Sequence, residues 1–196
     1  METLTQATII KKLIAAEISL FTVSDFKKLF AISKDNTAYK TIARLTEKGI
    51  LKKLSKKRYL FALKPVDDFQ IANFLYQPSY ISLESALSFY SILPQFPYQI
   101  TSISPKKTHI VEAQGKELAY FHIKSALFFG YEKKENFLIA LPEKALIDYL
   151  YFTSKGLRDG SLDEFDLSII KKEVMAHLLS LAKNKSLTNL VRAKIL

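Results

Sequence analysis

At Gly49 the apolar spacing of this chain changes from that of helices to that of strands, after only three helical segments. Between Thr5 and Ile18 the apolar residues Ile9, Ile10, Leu13, Ile14 and Ile18 are spaced as one buried helical face. Thr22 to Phe30 predicts a second helix, with Thr22 or Ser24 as N-cap and Phe26, Leu29 and Phe30 on its apolar side. After the short Ala31-Ile32-Ser33 turn, a third helix is expected from about Asp35 to Lys48. Gly49 then stands where a left-handed C-cap is wanted. Ile50 to Leu54 and Arg58 to Leu63 read as two short strands joined by Ser55-Lys56-Lys57, and Pro65 closes the second because proline cannot donate to a ladder. Helices whose last two are tightly joined, followed by a hairpin, predict a winged helix-turn-helix over residues 1–64.

The charge follows the same division. Residues 1–64 hold 14 Lys and Arg against 5 Asp and Glu, a net of +9, while residues 65–196 hold 15 against 14. Solubility needs only modest charge spread over the surface, so an excess confined to one third of a chain points to a polyanionic partner, with double-stranded DNA as the leading candidate.

At 100° per residue Ala38, Ile42 and Leu45 of the third helix share a narrow arc that faces the other helices. Thr37, Lys40, Thr41, Arg44 and Lys48 form a polar, basic stripe on another side, with Glu47 at its edge. Arg and Lys donate to guanine edges or phosphates, and Thr and Asn reach bases or backbone at short range. The stripe together with Asn36 is therefore the expected reading face, Asn36, Lys40 and Arg44 nearest the bases. The bland alternative is a solvated basic helix face. Lys53, Lys56, Lys57 and Arg58, four cations with no acid between them, are expected at the hairpin tip against phosphates.

From residue 65 a second domain is expected, running to residue 196. Helices are predicted over 69–76 and 82–90, the latter with Ser82 as N-cap. Strand-like runs at 99–103, 109–111, 118–123 and 137–141 predict a small antiparallel sheet. Pro142 opens a helix to Phe152 that buries Ala145, Leu146, Tyr149 and Phe152, and two more helices run from about 168 to 183 and from 187 to the end. The fold class is α+β: a winged helix-turn-helix followed by a mixed helix and small-sheet domain.

Several chemistries are excluded or disfavoured. With no cysteine there is no disulfide, thiolate zinc site or cysteine nucleophile, and His109, His122 and His177 have no partners at ligand spacing, so neither metal nor cofactor is expected. Gly160-Ser161 with Asp163, Glu164 and Asp166 resembles a nucleotidyltransferase signature, but the acids follow too closely to sit on a separate strand. A loop with Ser161 or Asp163 as a cap is the preferred reading, and no enzymatic activity is expected. Phe128, Phe129, Tyr149, Tyr151 and Phe152 are read as core or interface aromatics. The start METLTQATIIKKLIAAEI interleaves charge with apolar residues, unlike a secretory signal, and no window has the roughly 18 apolar residues of a membrane span, so a cytoplasmic location is expected.

Pro78-Ser79-Tyr80-Ile81-Ser82-Leu83-Glu84-Ser85-Ala86-Leu87, Thr101-Ser102-Ile103, Phe129-Gly130 and Leu141-Pro142-Glu143-Lys144-Ala145-Leu146-Ile147-Asp148 resemble the AbiEi-type antitoxin family of type IV toxin–antitoxin systems. The resemblance spans residues 1 to about 153. It implies an N-terminal winged helix-turn-helix that represses its own promoter through inverted repeats, and a C-terminal domain that neutralises a nucleotidyltransferase-like toxin encoded alongside. The alternative is a protein-interaction module, or a stand-alone winged-helix regulator without a cognate toxin.

Overall fold

The structure, a computed structural model, describes residues 4–159 and 161–195. The chain is a mixed α+β protein that divides into two compact units, Met1–Asp67 and Asp68–Leu196.

In the first unit the order is α1 (Gln6–Ala15), β1 (Leu20–Thr22), α2 (Val23–Leu29), α3 (Asp35–Glu47), β2 (Leu51–Ser55) and β3 (Arg58–Phe61). Thr5 caps α1 through its hydroxyl. Strand β1 is one that the sequence spacing does not announce. Its three residues pair antiparallel with β3, which also pairs antiparallel with β2, so the sheet order is β1-β3-β2. Ile9, Leu13, Phe21, Phe26, Ala38, Ile42, Leu45, Leu51, Tyr59 and Phe61 are buried together as the core of this unit. The rings of Phe21 and Phe26 lie 5.7 Å apart and those of Phe26 and Phe30 4.6 Å apart.

The second unit comprises α4 (Asp68–Leu75), β4 (Tyr80–Ile81), α5 (Leu83–Phe89), β5 (Ile100–Ser104), β6 (His109–Ala113), β7 (Lys116–His122), β8 (Tyr131–Lys134), β9 (Phe137–Ala140), α6 (Pro142–Thr153), α7 (Lys172–Ala182) and α8 (Lys185–Ile195). Its sheet has six strands in the order β6-β7-β5-β4-β9-β8. The expected antiparallel sheet is therefore corrected to a mixed one, since β5 pairs parallel with β7 and β4 parallel with β9. After β5 the chain runs out along the edge strand β6 and turns back as β7 beside β5, and two reversals restore the original direction. Strand-like spacing reports the period of a strand but not its neighbour.

Helix α6 is buried from Glu143 through Phe152, with α5, α7 and α8 packed around it. A helix sunk on every side must satisfy its polar residues internally. Lys144 and Asp148, each 1% exposed, form an i,i+4 ion pair. Tyr80 and Ser82 donate their hydroxyls to Asp148 Oδ2, both at 2.9 Å, and Lys144 also donates to the Tyr80 hydroxyl at 2.9 Å. Burial raises the carboxyl of Asp148 and lowers the ammonium of Lys144. Each opposes that drift in the other, and an acceptor of three hydrogen bonds is the ionised carboxylate.

The same polar cluster extends to Thr101, which donates its hydroxyl to the Ser82 carbonyl at 2.7 Å and exchanges hydrogen bonds with Ser85. Ser82 does precede α5, yet its hydroxyl serves Asp148 and makes no cap bond. Gly130 has φ +73, and a Cβ there would meet Lys144 Cγ at 3.0 Å and Leu178 Cδ2 at 3.2 Å. Glu143, in the first turn of α6, accepts at 2.9 Å from the amide of Lys171, the residue before α7.

Removing one charge from such a pair strands the other, so Lys144→Met is expected to cost about 3–5 kcal/mol in urea unfolding, while adding Asp148→Leu recovers most of the loss. Gly130→Ala is expected to cost about 1–3 kcal/mol by the same measurement, from its left-handed backbone and the contact with Lys144.

Candidate nucleic-acid interface

The candidate interface is built on the first unit, and it begins with how α3 is held. Thr22 and Asp25 form a capping box at the start of α2: the Thr22 hydroxyl accepts from the Asp25 amide at 3.2 Å, and Asp25 Oδ2 accepts from the Thr22 amide at 2.9 Å. These bonds hold the Asp25 carboxyl below its ordinary value, the backbone bond from Thr22 being the largest cause. At the other end of α2 Ala31 is left-handed, with φ 51, and the Ile32 amide donates to the Lys27 carbonyl at 2.9 Å. That six-to-one bond buries Ile32 and turns the chain directly into α3. Lys27 and Asp35 then pair across the two helices. The hydrogen bond from Lys27 keeps the exposed Asp35 carboxyl below the usual range.

Gly49, φ +69, ends α3 as the sequence predicts. The Ile50 amide donates to the Leu45 carbonyl at 3.0 Å, and the chain enters β2. Ala38, Ile42 and Leu45 are buried, also as predicted. On the other side Asn36, Thr37, Lys40, Arg44 and Lys48 are exposed and Thr41 is half-buried.

These residues are not equivalent. Thr41 donates its hydroxyl to the Thr37 carbonyl of its own helix at 2.9 Å. Lys48 reaches across to Gln6 of α1 at 3.0 Å. Asn36, Lys40 and Arg44 stand on the outward part of the face, opposite the buried arc.

The hairpin differs in detail from its expected outline. Ser55 belongs to β2, so the turn is the pair Lys56-Lys57, and Lys57 takes φ 62. A bulge between Lys53 and Ser55 breaks the alternation of β2. Lys52 and Lys53 consequently both face solvent while Leu54 is buried. Lys53, Lys56 and Lys57 are exposed and Arg58 is half-buried in β3. The Val23 amide donates to the Lys57 carbonyl at 3.0 Å, which draws the tip of the hairpin onto the start of α2.

That contact closes a cleft of about 680 Å3 whose lining includes Ser24, Lys27, Lys28, Asp35, Tyr39 and Lys57. Of these, only Lys57 is among the predicted site residues. Tyr39, 38% exposed, was legible as a residue outside the apolar arc of α3, and Lys27-Lys28 as cations on the helix before it. Chemically, the surface offers ammonium, guanidinium, amide and hydroxyl donors, with the Asp35 carboxylate engaged by Lys27 and the exposed Glu47 carboxylate at the edge of the face.

Elsewhere, Ser161 and Asp163 bond to each other and the Ser161 amide donates to Asp159 Oδ1 at 3.1 Å, with no helix starting there, and Gly160 lies outside the described residues. Among the described residues no group of three or more His, Asp or Glu converges as a metal site, and no helix is long and apolar enough to cross a membrane.

No protein-family model matches this chain, and no curated protein matches it significantly.

Thr22→Ala is expected to lower the stability of the first unit by about 1 kcal/mol in thermal melts followed by circular dichroism. Asp25→Asn should also destabilise it above the unfolded carboxyl value of 3.8. Because the folded carboxyl lies lower still, that difference should shrink as pH falls through the folded value; a gap of constant size at low pH rejects the assignment.

Proposed function

We propose that the chain is a DNA-binding regulator whose first unit is a winged helix-turn-helix, and that it acts as the autorepressor and antitoxin of a type IV toxin–antitoxin pair. The observation that carries the DNA-binding reading is a single one: the exposed face of α3, with Lys40, Arg44 and Lys48 beside Glu47, and the Lys56-Lys57 turn belong to one small unit. The element order and the sheet order β1-β3-β2 support the winged-helix description, with β2 and β3 as the wing.

In this reading α3 enters the major groove. Asn36, Lys40 and Arg44 address base edges, with Arg44 as the fork that suits guanine. Lys53, Lys56, Lys57 and Arg58 neutralise phosphates beside the groove. Lys48, bonded to Gln6 of α1, and Thr41, bonded to the Thr37 carbonyl of its own helix, contribute less. Inverted repeats in the operator and a nucleotidyltransferase-like toxin as partner come from the family resemblance alone. No catalytic residue, metal or cofactor enters the proposal.

A protein-interaction module is the competing reading, and it predicts no dependence of DNA affinity on α3. Binding to duplex DNA across a salt series separates the two. Arg44→Ala is expected to relax preference at one base pair by about 1–3 kcal/mol, whereas Lys57→Ala should weaken all sequences alike and reduce the salt slope by about one. Slopes equal to wild type for Lys57→Ala would remove the wing contact from the proposal.

A further inference from the structure

The parallel strands β5 and β7 end side by side, Ser104 opposite His122. The chain leaving β5 carries Lys106 and Lys107, and the chain leaving β7 carries Lys124. The carboxyl ends of neighbouring parallel strands are where open sheets commonly place ligands, because the departing loops converge there.

The turn between β5 and β6 is braced on every side. Ser104 Oγ donates to the Pro78 carbonyl at 2.7 Å and accepts from the Lys106 amide at 3.2 Å. Tyr76 donates its hydroxyl to the Lys107 carbonyl at 2.8 Å. His122 meets the Lys106 carbonyl through Nδ1 at 3.0 Å, and its amide donates to Thr108 Oγ1 at 3.2 Å. A carbonyl only accepts, so Nδ1 bears a hydrogen and donates it to the Lys106 carbonyl, which makes His122 a brace of the turn.

The depression bounded by these residues measures about 620 Å3 and is lined by Tyr76, Pro105, Lys106, Lys107, Thr108 and His122. None of these is an acid, in a unit whose charge is otherwise close to balanced. Lys106, Lys107, Thr108 and His122 are exposed. The Tyr76 ring is engaged already, stacked on His109 at 5.2 Å with the Lys106 ammonium 5.6 Å from its centre, so a flat aromatic ligand has no free platform here. What the site offers is two ammonium groups and a hydroxyl on a rigid turn that the His122 ring braces, donors that suit a tetrahedral oxyanion.

We propose that Lys106, Lys107 and Thr108, on the turn that His122 braces, form a phosphate-binding site on the second unit, taking the phosphate of a phosphate ester. Two sources carry that chemistry: the backbone of duplex DNA and the phosphates of a free nucleotide. The site does not depend on the DNA-binding role of α3.

The full chain and its Lys106→Gln/Lys107→Gln double variant are to be compared in two arms: anisotropy of a labelled duplex across a salt series, and calorimetric titration with ATP. Lys133→Gln/Lys172→Gln serves as a control with the same change in net charge. A salt slope lowered by about two in the double variant and unchanged in the control identifies the duplex backbone as the source. An unchanged slope with ATP binding lost only in the double variant identifies a free nucleotide. The site is overturned if the double variant matches wild type in both arms, or if the control loses as much. Should the wild-type chain bind no duplex at all, the regulator reading falls on its own and the ATP arm alone decides this site.

Discussion

A buried carboxylate has to be answered by donors, and in the second unit that requirement organises everything near α6. Asp148 is 1% exposed, and its partners come from three places in the sequence: Lys144 one helical turn back, Tyr80 in β4, and Ser82 at the start of α5. Thr101 of β5 then fastens the backbone of Ser82 and Ser85. Gly130 leaves room for the Lys144 stem. Each donor lost would leave charge in a medium that cannot solvate it, so sheet, α5 and α6 are obliged to meet in one register.

The residues behind the family resemblance are largely these same ones. Tyr80, Ser82, Ser85, Thr101, Gly130, Lys144 and Asp148 come from its four stretches and gather in one buried cluster. A Ser-Tyr-Lys-Asp grouping invites a catalytic story, but these side chains are spent on one another in the interior. Those stretches thus mark how the second unit folds, and the proposed DNA and phosphate contacts rest on surface residues outside them.

In the first unit the equivalent constraint is backbone geometry. Left-handed residues end both α2 and α3, Ala31 and Gly49, and each is followed by a six-to-one bond that buries the next isoleucine. Those two turns aim α3, and strand β3 between β1 and β2 joins the hairpin to the helices. Lys40 and Arg44 stand on a helix that these turns fix at both ends, and Lys56 and Lys57 on a turn tied to α2 through the Lys57 carbonyl.

Local chemistry was readable from the residues alone: the helices of the first unit to within a few residues, Gly49 as a C-cap, the buried arc Ala38-Ile42-Leu45 and the basic stripe opposite it. All of these follow from periodicity and from preferences acting over a few residues. Pairings between distant segments were not readable. Strands β1 and β4 are too short to carry a period, β8 is mostly charged, the parallel partners of β4 and β5 depend on chain reversals, and the bulge that exposes both Lys52 and Lys53 depends on β3. Nor does a helix wheel show that α6 is enclosed all round, and hence that Lys144 and Asp148 lie inside. Only packing decides which polar residues lose water, because burial is set by neighbours far away in sequence.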